Sequence, residues 1–256
     1  MISVTILTKN SSQFLAEVLT STRRFDEVLI LDNGSTDDTL TIARSFPNTR
    51  ICVTEFCGFG PLHNNASSLA KHPWILSLDS DEVLAASSVY EILSTPLDKQ
   101  CVYSLPRNNY FNGKWIRWCG WYPDRQTRLY NRETTRFTDA LVHEAIIKEG
   151  LKEIPLHCPI KHYSYSSLAD FLDKMQKYST LFASQYQHKR DSSPFKAIAH
   201  GVFAFFKSYI LKWGILGGYE GFVISAYNGH TAFYKYLKLY EKNGQKSADG
   251  QKKTGA

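Results

Sequence analysis

Apolar residues in the first third of the chain come in short blocks that end on polar turn residues, and these blocks alternate with segments of helical spacing. Residues 3–8 form a β-rich apolar run, after which Ser11 and Ser12 are positioned to cap an amphipathic helix reaching about Thr22. Residues 27–31 make a second apolar strand ending at Asp32. Asn33-Gly34-Ser35 then supplies turn residues before Thr36 or Asp37 caps a helix toward Phe46. A short strand at residues 50–54, a Gly58-Phe59-Gly60-Pro61 loop, a helix over residues 62–71 and a strand at 74–78 continue the alternation. Strand and helix alternating in this way predict an α/β fold with an open, mostly parallel sheet, right-handed crossovers and flanking helices.

After a helix expected over residues 87–93 the pattern changes. Between Tyr103 and Tyr130 the chain is aromatic, arginine-rich and irregular, more like strands and loops walling a site than another β-α repeat. From Ser167 it turns helical, and residues 195–240 are crowded with Phe, Tyr, Trp and Ile, interrupted by Lys196, Lys207, Lys212, Lys235 and Lys238. The predicted organisation is an α/β domain over 1–165, a helical, aromatic and basic extension over 166–242, and a polar, disordered tail over 243–256. The longest charge-free run of the extension, residues 221–234, is shorter than the ~20 apolar residues a membrane span needs, which leaves contact with a membrane surface.

Charge sharpens this division. The 256 residues carry a net charge of +6, with 16 basic and 18 acidic side chains in residues 1–160 against 14 and 6 in residues 161–256. An anionic partner, lipid or nucleic acid, suits that excess. Tyr and Phe among basic residues can stack on bases, but the apolarity of residues 195–240 fits helix packing or interfacial membrane contact better, so no nucleic-acid partner is expected. Five cysteines with no Cys-x-x-Cys pair suggest neither a disulfide framework nor a zinc ribbon, and the chain opens on a strand rather than a leader pattern. A cytoplasmic location, with contact at a membrane surface, is the expectation.

The chemistry concentrates at strand ends. Trp74-Ile-Leu-Ser-Leu-Asp79-Ser80-Asp81-Glu82 is an apolar strand delivering two aspartates one residue apart, which suits a divalent cation in an open α/β sheet. Asp32 in Leu-Asp32-Asn33-Gly34-Ser35-Thr36-Asp37-Asp38 is a second strand-end carboxylate. Two such sites on one sheet can divide a nucleotide, one taking base or ribose and the other the diphosphate through a metal, so a nucleotide-activated substrate is predicted.

These segments resemble the inverting glycosyltransferases of family 2, which have the GT-A fold. The matching pieces are residues 3–10, Asp32 through Thr39, the helix beginning Asn64-Asn65-Ala66, and Leu78-Asp79-Ser80-Asp81-Glu82. Gly58-Phe59-Gly60, Arg125-Gln-Thr-Arg128-Leu-Tyr130, Val142-His143-Glu144, His162-Tyr-Ser-Tyr and the Gly-rich aromatic C-terminus look like the bacterial lipopolysaccharide-core β-1,4-glucosyltransferase group within that family. The resemblance implies that residues 1–165 are the nucleotide-sugar-binding and catalytic domain, with a UDP-sugar donor, a lipid-linked saccharide acceptor such as lipopolysaccharide core at the cytoplasmic face of the inner membrane, and a divalent cation, Mn²⁺ or Mg²⁺. It implies that Asp81 holds the metal, helped by Asp79 and His162, and that Glu144 is the base, with Asp124 and Asp139 as competitors. Thr8, Asn10, Asp32, Asn64, Asp79, Arg125 and Arg128 are then the substrate-binding candidates. Two other readings share parts of the pattern. A polyprenyl-phosphate sugar transferase has the same donor site. A haloacid-dehalogenase-like phosphatase shares the Asp79-Ser80-Asp81 signature, with Asp79 as nucleophile, although that signature normally lies on the first strand.

Overall fold

Residues 2–8 form strand β1 (Ile2–Thr8), buried at every position except the half-buried Leu7. Burial on both faces marks an interior strand of a parallel sheet, and β1 indeed lies between β2 (Glu27–Asp32) and β4 (Trp74–Asp79), parallel to both. The structure, a computed structural model, describes residues 1–141, 144–165 and 167–252, with side chains up to residue 244. Helix α1 (Ser12–Ser21) links β1 to β2, α2 (Thr39–Arg44) links β2 to β3 (Thr49–Val53), and α3 (Phe59–Leu69) links β3 to β4. These are the predicted β-α repeats.

The sheet then becomes mixed. After the short β5 (Glu82–Leu84) and α4 (Ala86–Ser94), the region expected to be irregular contains β6 (Cys101–Phe111), the two-residue β7 (Lys114–Trp115) and β8 (Arg125–Asn131). β8 runs antiparallel to both β4 and β6. The remaining strands are β9 (Lys152–Pro155), parallel to β6, and β10 (Ile160–Tyr165), antiparallel to β5. The sheet order is β3-β2-β1-β4-β8-β6-β10-β5, with β7 and β9 paired to β6. Three helices follow: α5 (Leu168–Tyr186), α6 (Pro194–Phe206) and α7 (Gly218–Lys252). α7 continues past residue 243, where the sequence suggested a tail.

The chain divides into two compact units. Unit 1 is Met1–Asn108 with Asp124–Tyr163; unit 2 is Asn109–Pro123 with the chain from Ser164 onward. Unit 2 therefore takes in a stretch that the sequence assigned to the first domain. In unit 1, Val4, Ile6, Val28, Ile30, Leu76 and Leu78 from three adjacent strands build one core with Leu15, Val18 and Leu19 of α1. At the opposite ends of these strands Glu27 is buried. It accepts hydrogen bonds from Ser3 Oγ (2.6 Å), the Lys71 amide (2.6 Å) and Arg50 Nε (3.0 Å), so one carboxylate ties β1, β2 and the α3–β4 connection together. In unit 2, Phe111, Ile116, Cys119, Phe171 and Ile224 form the core. α5 opens on a capping box in which Ser167 and Asp170 exchange hydrogen bonds with each other's backbone.

Two local expectations change for identifiable reasons. The predicted loop at residues 58–61 is the first turn of α3. Gly58, at φ 108°, turns the chain in, and the Phe59 and Gly60 amides donate to Leu141 O (3.2 Å) and Ala140 O (3.0 Å). Those acceptors come from far along the chain, so no local signal announces them. Likewise, neither Ser11 nor Ser12 caps α1 through its side chain; the Ser12 amide donates to Asp37 of the next loop (3.1 Å).

Gly60 tests how tightly α3 is held. A Cβ there would lie 2.0 Å from Thr138 O and 2.9 Å from Ala140 O, both backbone atoms. The helix-propensity gain of alanine, at most about 1 kcal/mol, is smaller than the overpacking loss of about 1–3 kcal/mol. We expect Gly60→Ala to lower the urea midpoint; an unchanged midpoint would mean that residues 138–140 yield freely.

Candidate active site

The parallel registers bring the candidate carboxylates to one edge. Thr8 pairs with Asp32, and Leu7 pairs with Asp79, so the C-terminal ends of β1, β2 and β4 lie side by side. Ligands in open α/β sheets bind beyond such an edge.

At the β1/β2 end the side chains organise loops. Asp32 is 1% exposed, and its carboxylate accepts from Thr8 Oγ1 (2.8 Å), the Gly34 amide (2.9 Å), the Ser35 amide (2.9 Å) and the Ser35 hydroxyl. Burial raises this carboxyl, but the Ser35, Thr8 and Gly34 donors outweigh burial and hold it below the ordinary range. Asn10, at a left-handed φ of 51°, donates its amide to Ser35 Oγ (2.9 Å) and accepts the Thr36 amide on Oδ1 (2.8 Å). Asp37 accepts the amides of Ser12 and Thr39, each at 3.1 Å, one from α1 and one from α2. The β1–α1 and β2–α2 loops are thereby locked to each other.

At the β4 end lies a network of charges in which Arg128 and Glu82 are buried while Asp79, Arg107 and Asp124 are partly exposed. Arg128 on β8 is 7% exposed, and its Nη2 donates to Asp79 Oδ2 and to Glu82 Oε1, both at 2.5 Å. Glu82, fully buried, also accepts from Arg107 Nη1 (3.3 Å) and, through Oε2, from the Asp79 amide (3.1 Å). Arg107 continues to Asp124 Oδ2 through its Nε (2.8 Å). Burial works against ionised Asp79, but Arg128 foremost, with His162, His63 and Arg107, holds it far below the carboxylate range. Glu82 is raised, by burial first and by the charge of Asp79 as well. Arg128 rises despite its burial because both carboxylates face it.

Asp81 follows in the β4–β5 turn. Its Oδ2 lies 3.5 Å from His162 Nε2, and its carbonyl accepts the Tyr163 amide (3.0 Å). His162 is directly opposite Glu82 in the β5–β10 ladder, which is why an imidazole from residue 162 reaches a turn at residue 81. The Asp81 side chain is 34% exposed. Among the described residues no group of three or more His, Cys, Asp or Glu converges as a self-sufficient metal cage. Asp81 and His162 together offer an oxygen and an imidazole nitrogen, a mixed donor pair that suits Mn²⁺ better than the oxygen-preferring Mg²⁺ when a ligand's phosphates complete the shell.

The structure places the other candidates differently from one another. Asp79 is turned onto Arg128, and Arg128 is committed to Asp79 and Glu82. Arg125 Nη1 donates to Ser104 O (2.8 Å) and Leu156 O (2.9 Å), which makes it a clamp on backbone. Asn64 donates to Phe137 O (3.0 Å) and accepts the Phe137 amide (2.9 Å), fastening α3 to residues 137–141. Asp139 is forked by Arg136 at 2.6 and 3.0 Å. Of Val142-His143-Glu144, the first two lie outside the described residues. Glu144 Oε1 is 3.9 Å from Nε2 of His63, a buried histidine that stacks on Phe137 and bonds Ser77 Oγ through Nδ1 (3.2 Å). Arg107 and His63 were not singled out from the sequence, and Glu82 was noted only as the end of the Asp79-Ser80-Asp81-Glu82 run, without a role. The available signal was a charged or imidazole residue inside an otherwise apolar element, which requires a partner when buried.

Residues 3–153 match the family model for glycosyl transferase family 2. The lipopolysaccharide core biosynthesis glycosyltransferase LpsC of Rhizobium meliloti (strain 1021) is 25% identical over 260 residues, covering 96% of this chain and 94% of its own. An uncharacterized glycosyltransferase of Rickettsia prowazekii (strain Madrid E) is 26% identical over 254 residues, covering 93% and 86%. Among solved structures, the mannosyltransferase PcManGT of Pyrobaculum calidifontis, in complex with GDP-Man and Mn²⁺, superimposes with a TM-score of 0.52 at 14% identity, covering 93% of this chain and 86% of that one. That likeness concerns the fold, which is GT-A.

Two outcomes test the site's electrostatics. Arg128→Met strands the buried Glu82 beside Asp79, so we expect about 3–5 kcal/mol of lost stability in chemical denaturation; a loss below about 1 kcal/mol would mean that the network is not held as described. His63 is lowered from 6.5 to about 4 chiefly by burial. Its unfolded form binds protons that the folded form refuses, so its contribution is complete above pH 6.5 and drains away as pH falls toward about 4. The full loss is about 3 kcal/mol at ~1.4 kcal/mol per unit. His63→Gln should flatten stability against pH in that window.

Proposed function

The chain belongs to glycosyl transferase family 2, and from that premise we propose that it transfers a hexose, glucose in the first instance, from a UDP-sugar to a lipid-linked saccharide such as lipopolysaccharide core, with inversion at the anomeric carbon. The observation that carries this reading is the strand-end edge: the Asp32 loops lie at one part of it, and Asp81 with His162 lies just beyond β4. The similarity to LpsC along nearly the whole of both chains supports the choice of acceptor class.

In this proposal Asp81 and His162 hold a divalent cation. When bound, that ion offsets negative charge on the diphosphate leaving group. The locked loops around Asn10, Asp32 and Ser35 orient the nucleoside part of the donor. Glu144 takes the proton from the acceptor hydroxyl as its oxygen bonds the anomeric carbon; the bond to the diphosphate oxygen breaks, and its electron pair leaves with UDP. Attack from the face opposite the leaving group turns an α-linked donor into a β-linked product. Glu144, whose Oε1 lies 3.9 Å from Nε2 of His63, is taken as the base on the family resemblance, with Asp124 and Asp139 as the competing carboxylates. Family membership leaves the phosphatase reading without support. A polyprenyl-phosphate acceptor remains the alternative substrate.

UDP release from a panel of nucleotide sugars, with Mn²⁺ or Mg²⁺ and saccharide or polyprenyl-phosphate acceptors, tests the assignment. We expect UDP-glucose with a core saccharide to turn over fastest. Asp81→Ala should abolish turnover, and normal activity in that variant would end the mechanism. Glu144→Gln should lower kcat by about 10²–10⁴ with little change in donor KM, whereas Asp139→Asn should stay within a few-fold.

A further inference from the structure

Helix α6 of unit 2 is inside-out for a helix in water. Its buried residues are Ala197 and Gly201, while Phe195, Ile198, Val202 and Phe206, three or four apart along one stripe, are exposed. The small side has a cause. A Cβ on Gly201 would lie 3.2 Å from Gly229 O and 3.0 Å from Phe233 Cβ, so α6 and α7 meet at a spacing that only small residues permit. Nothing in that contact explains the large apolar residues on the other side.

Exposed apolar residues continue along the chain beyond α6. A π-helical turn (Lys207–Leu211) and a 3₁₀ turn (Gly214–Gly217) lead into α7, and in them Leu211 is 69%, Trp213 65% and Leu216 63% exposed. The tip is ordered. Trp213 takes a left-handed φ of 59°, held by hydrogen bonds from its amide to Ile210 O (3.1 Å) and from the Leu216 amide to its carbonyl (3.0 Å), while Lys212 O accepts the Cys119 amide (2.9 Å). Such a conformation costs a non-glycine residue about 1–2 kcal/mol, and here it leaves an indole in solvent. An open groove of about 490 Å³ on α6 is lined by Phe195, Lys196, Ala199, His200 and Phe203.

The charge pattern selects the occupant. Between residues 195 and 222 the only acidic residue is Glu220, which is 2% exposed and bonded to Lys114 (2.9 Å) and Asn112 (2.9 Å); Lys196, Lys207 and Lys212 are all exposed. The face is apolar with a mainly cationic fringe; the exposed Asp191 precedes α6, and its carbonyl accepts from Lys196 Nζ (3.0 Å). A second copy in a two-fold dimer would set these lysines against themselves. We propose that α6 and the turns after it are a docking surface for an anionic phospholipid bilayer. They lie in the plane of the interface, with Phe206, Leu211, Trp213 and Leu216 among the acyl chains and Lys196 and Lys207 at the lipid phosphates. Among the described residues no helix is long and apolar enough to cross a membrane, so this contact is interfacial. The inference stands on unit 2 alone and does not rest on the donor or acceptor proposed above.

Sedimentation of the full chain with phosphatidylglycerol–phosphatidylethanolamine vesicles, and with phosphatidylcholine vesicles, at low salt tests it. We expect pelleting with the first and far less with the second. Leu211→Glu with Leu216→Glu should weaken binding at least about tenfold. Lys196→Gln with Lys207→Gln should weaken it about 25-fold, from about fivefold per lysine, and blunt its salt dependence. All four positions are exposed, so circular dichroism and thermal unfolding should match the parent. No pelleting on anionic vesicles, or undiminished pelleting of the double-glutamate variant, overturns the proposal. So does a concentration-dependent dimer in sedimentation velocity that the double-glutamate variant abolishes. UDP release in the same preparations reads the catalytic proposal separately, because vesicle binding requires no turnover.

Discussion

A guanidinium in the interior must be neutralised where it lies, and in unit 1 that requirement joins three strands. Arg128 on β8 reaches Asp79 at the end of β4 and Glu82 at the start of β5, and Arg107 on β6 reaches Glu82 and Asp124. Taking these charges out of water is unfavourable, and removing any one of them strands the others, so the network is committed as a whole. Its geometric product is the β4–β5 turn. With Asp79 and Glu82 both fixed, the two residues between them have little freedom, and Asp81 is held where the β5–β10 ladder brings His162 within 3.5 Å. The residue proposed to hold metal is thus aimed by residues that need not touch metal at all.

What could be read in advance follows from how local each cause is. β1 to β4 with their helices were legible because apolar runs and turn residues lie within a few positions of one another. Asp32, Asp79 and Asp81 stood out by ending such runs. Between Tyr103 and Tyr130 strands and loops were legible as a type, but the bounds and pairing of the antiparallel strands Cys101–Phe111 and Arg125–Asn131 were not, because alternation there is overlaid with arginines and aromatics whose reasons lie elsewhere in the fold. Arg125 and Arg128 show the difficulty. They sit three residues apart in one strand, yet one clamps backbone carbonyls and the other anchors a buried ion network. Residue type suggested anion binding for both, and only position separates them. Asn64 is similar, since its partner Phe137 is 73 residues away.

The two units bury their apolar residues by different rules. Unit 1 puts Val, Ile and Leu between sheet and helix, as a protein in water does. At the α6–α7 contact of unit 2, small residues sit between helices and large ones face outward, an arrangement that relies on close backbone approach rather than on area removed from water. That inversion was invisible in composition, where residues 195–240 read only as aromatic and basic.

The cross-linked loops around Asn10, Asp32 and Asp37 bear on how a ligand is accommodated. Each loop uses its side chains to fasten the other's main chain, so neither is left to find its shape when a guest arrives. The entropy of ordering that edge has already been surrendered in folding, and a molecule entering there meets a preformed contour. If the donor binds at this edge as proposed, its recognition is governed by fit rather than by adaptation, and a guest of the wrong outline finds little give in the loops to receive it.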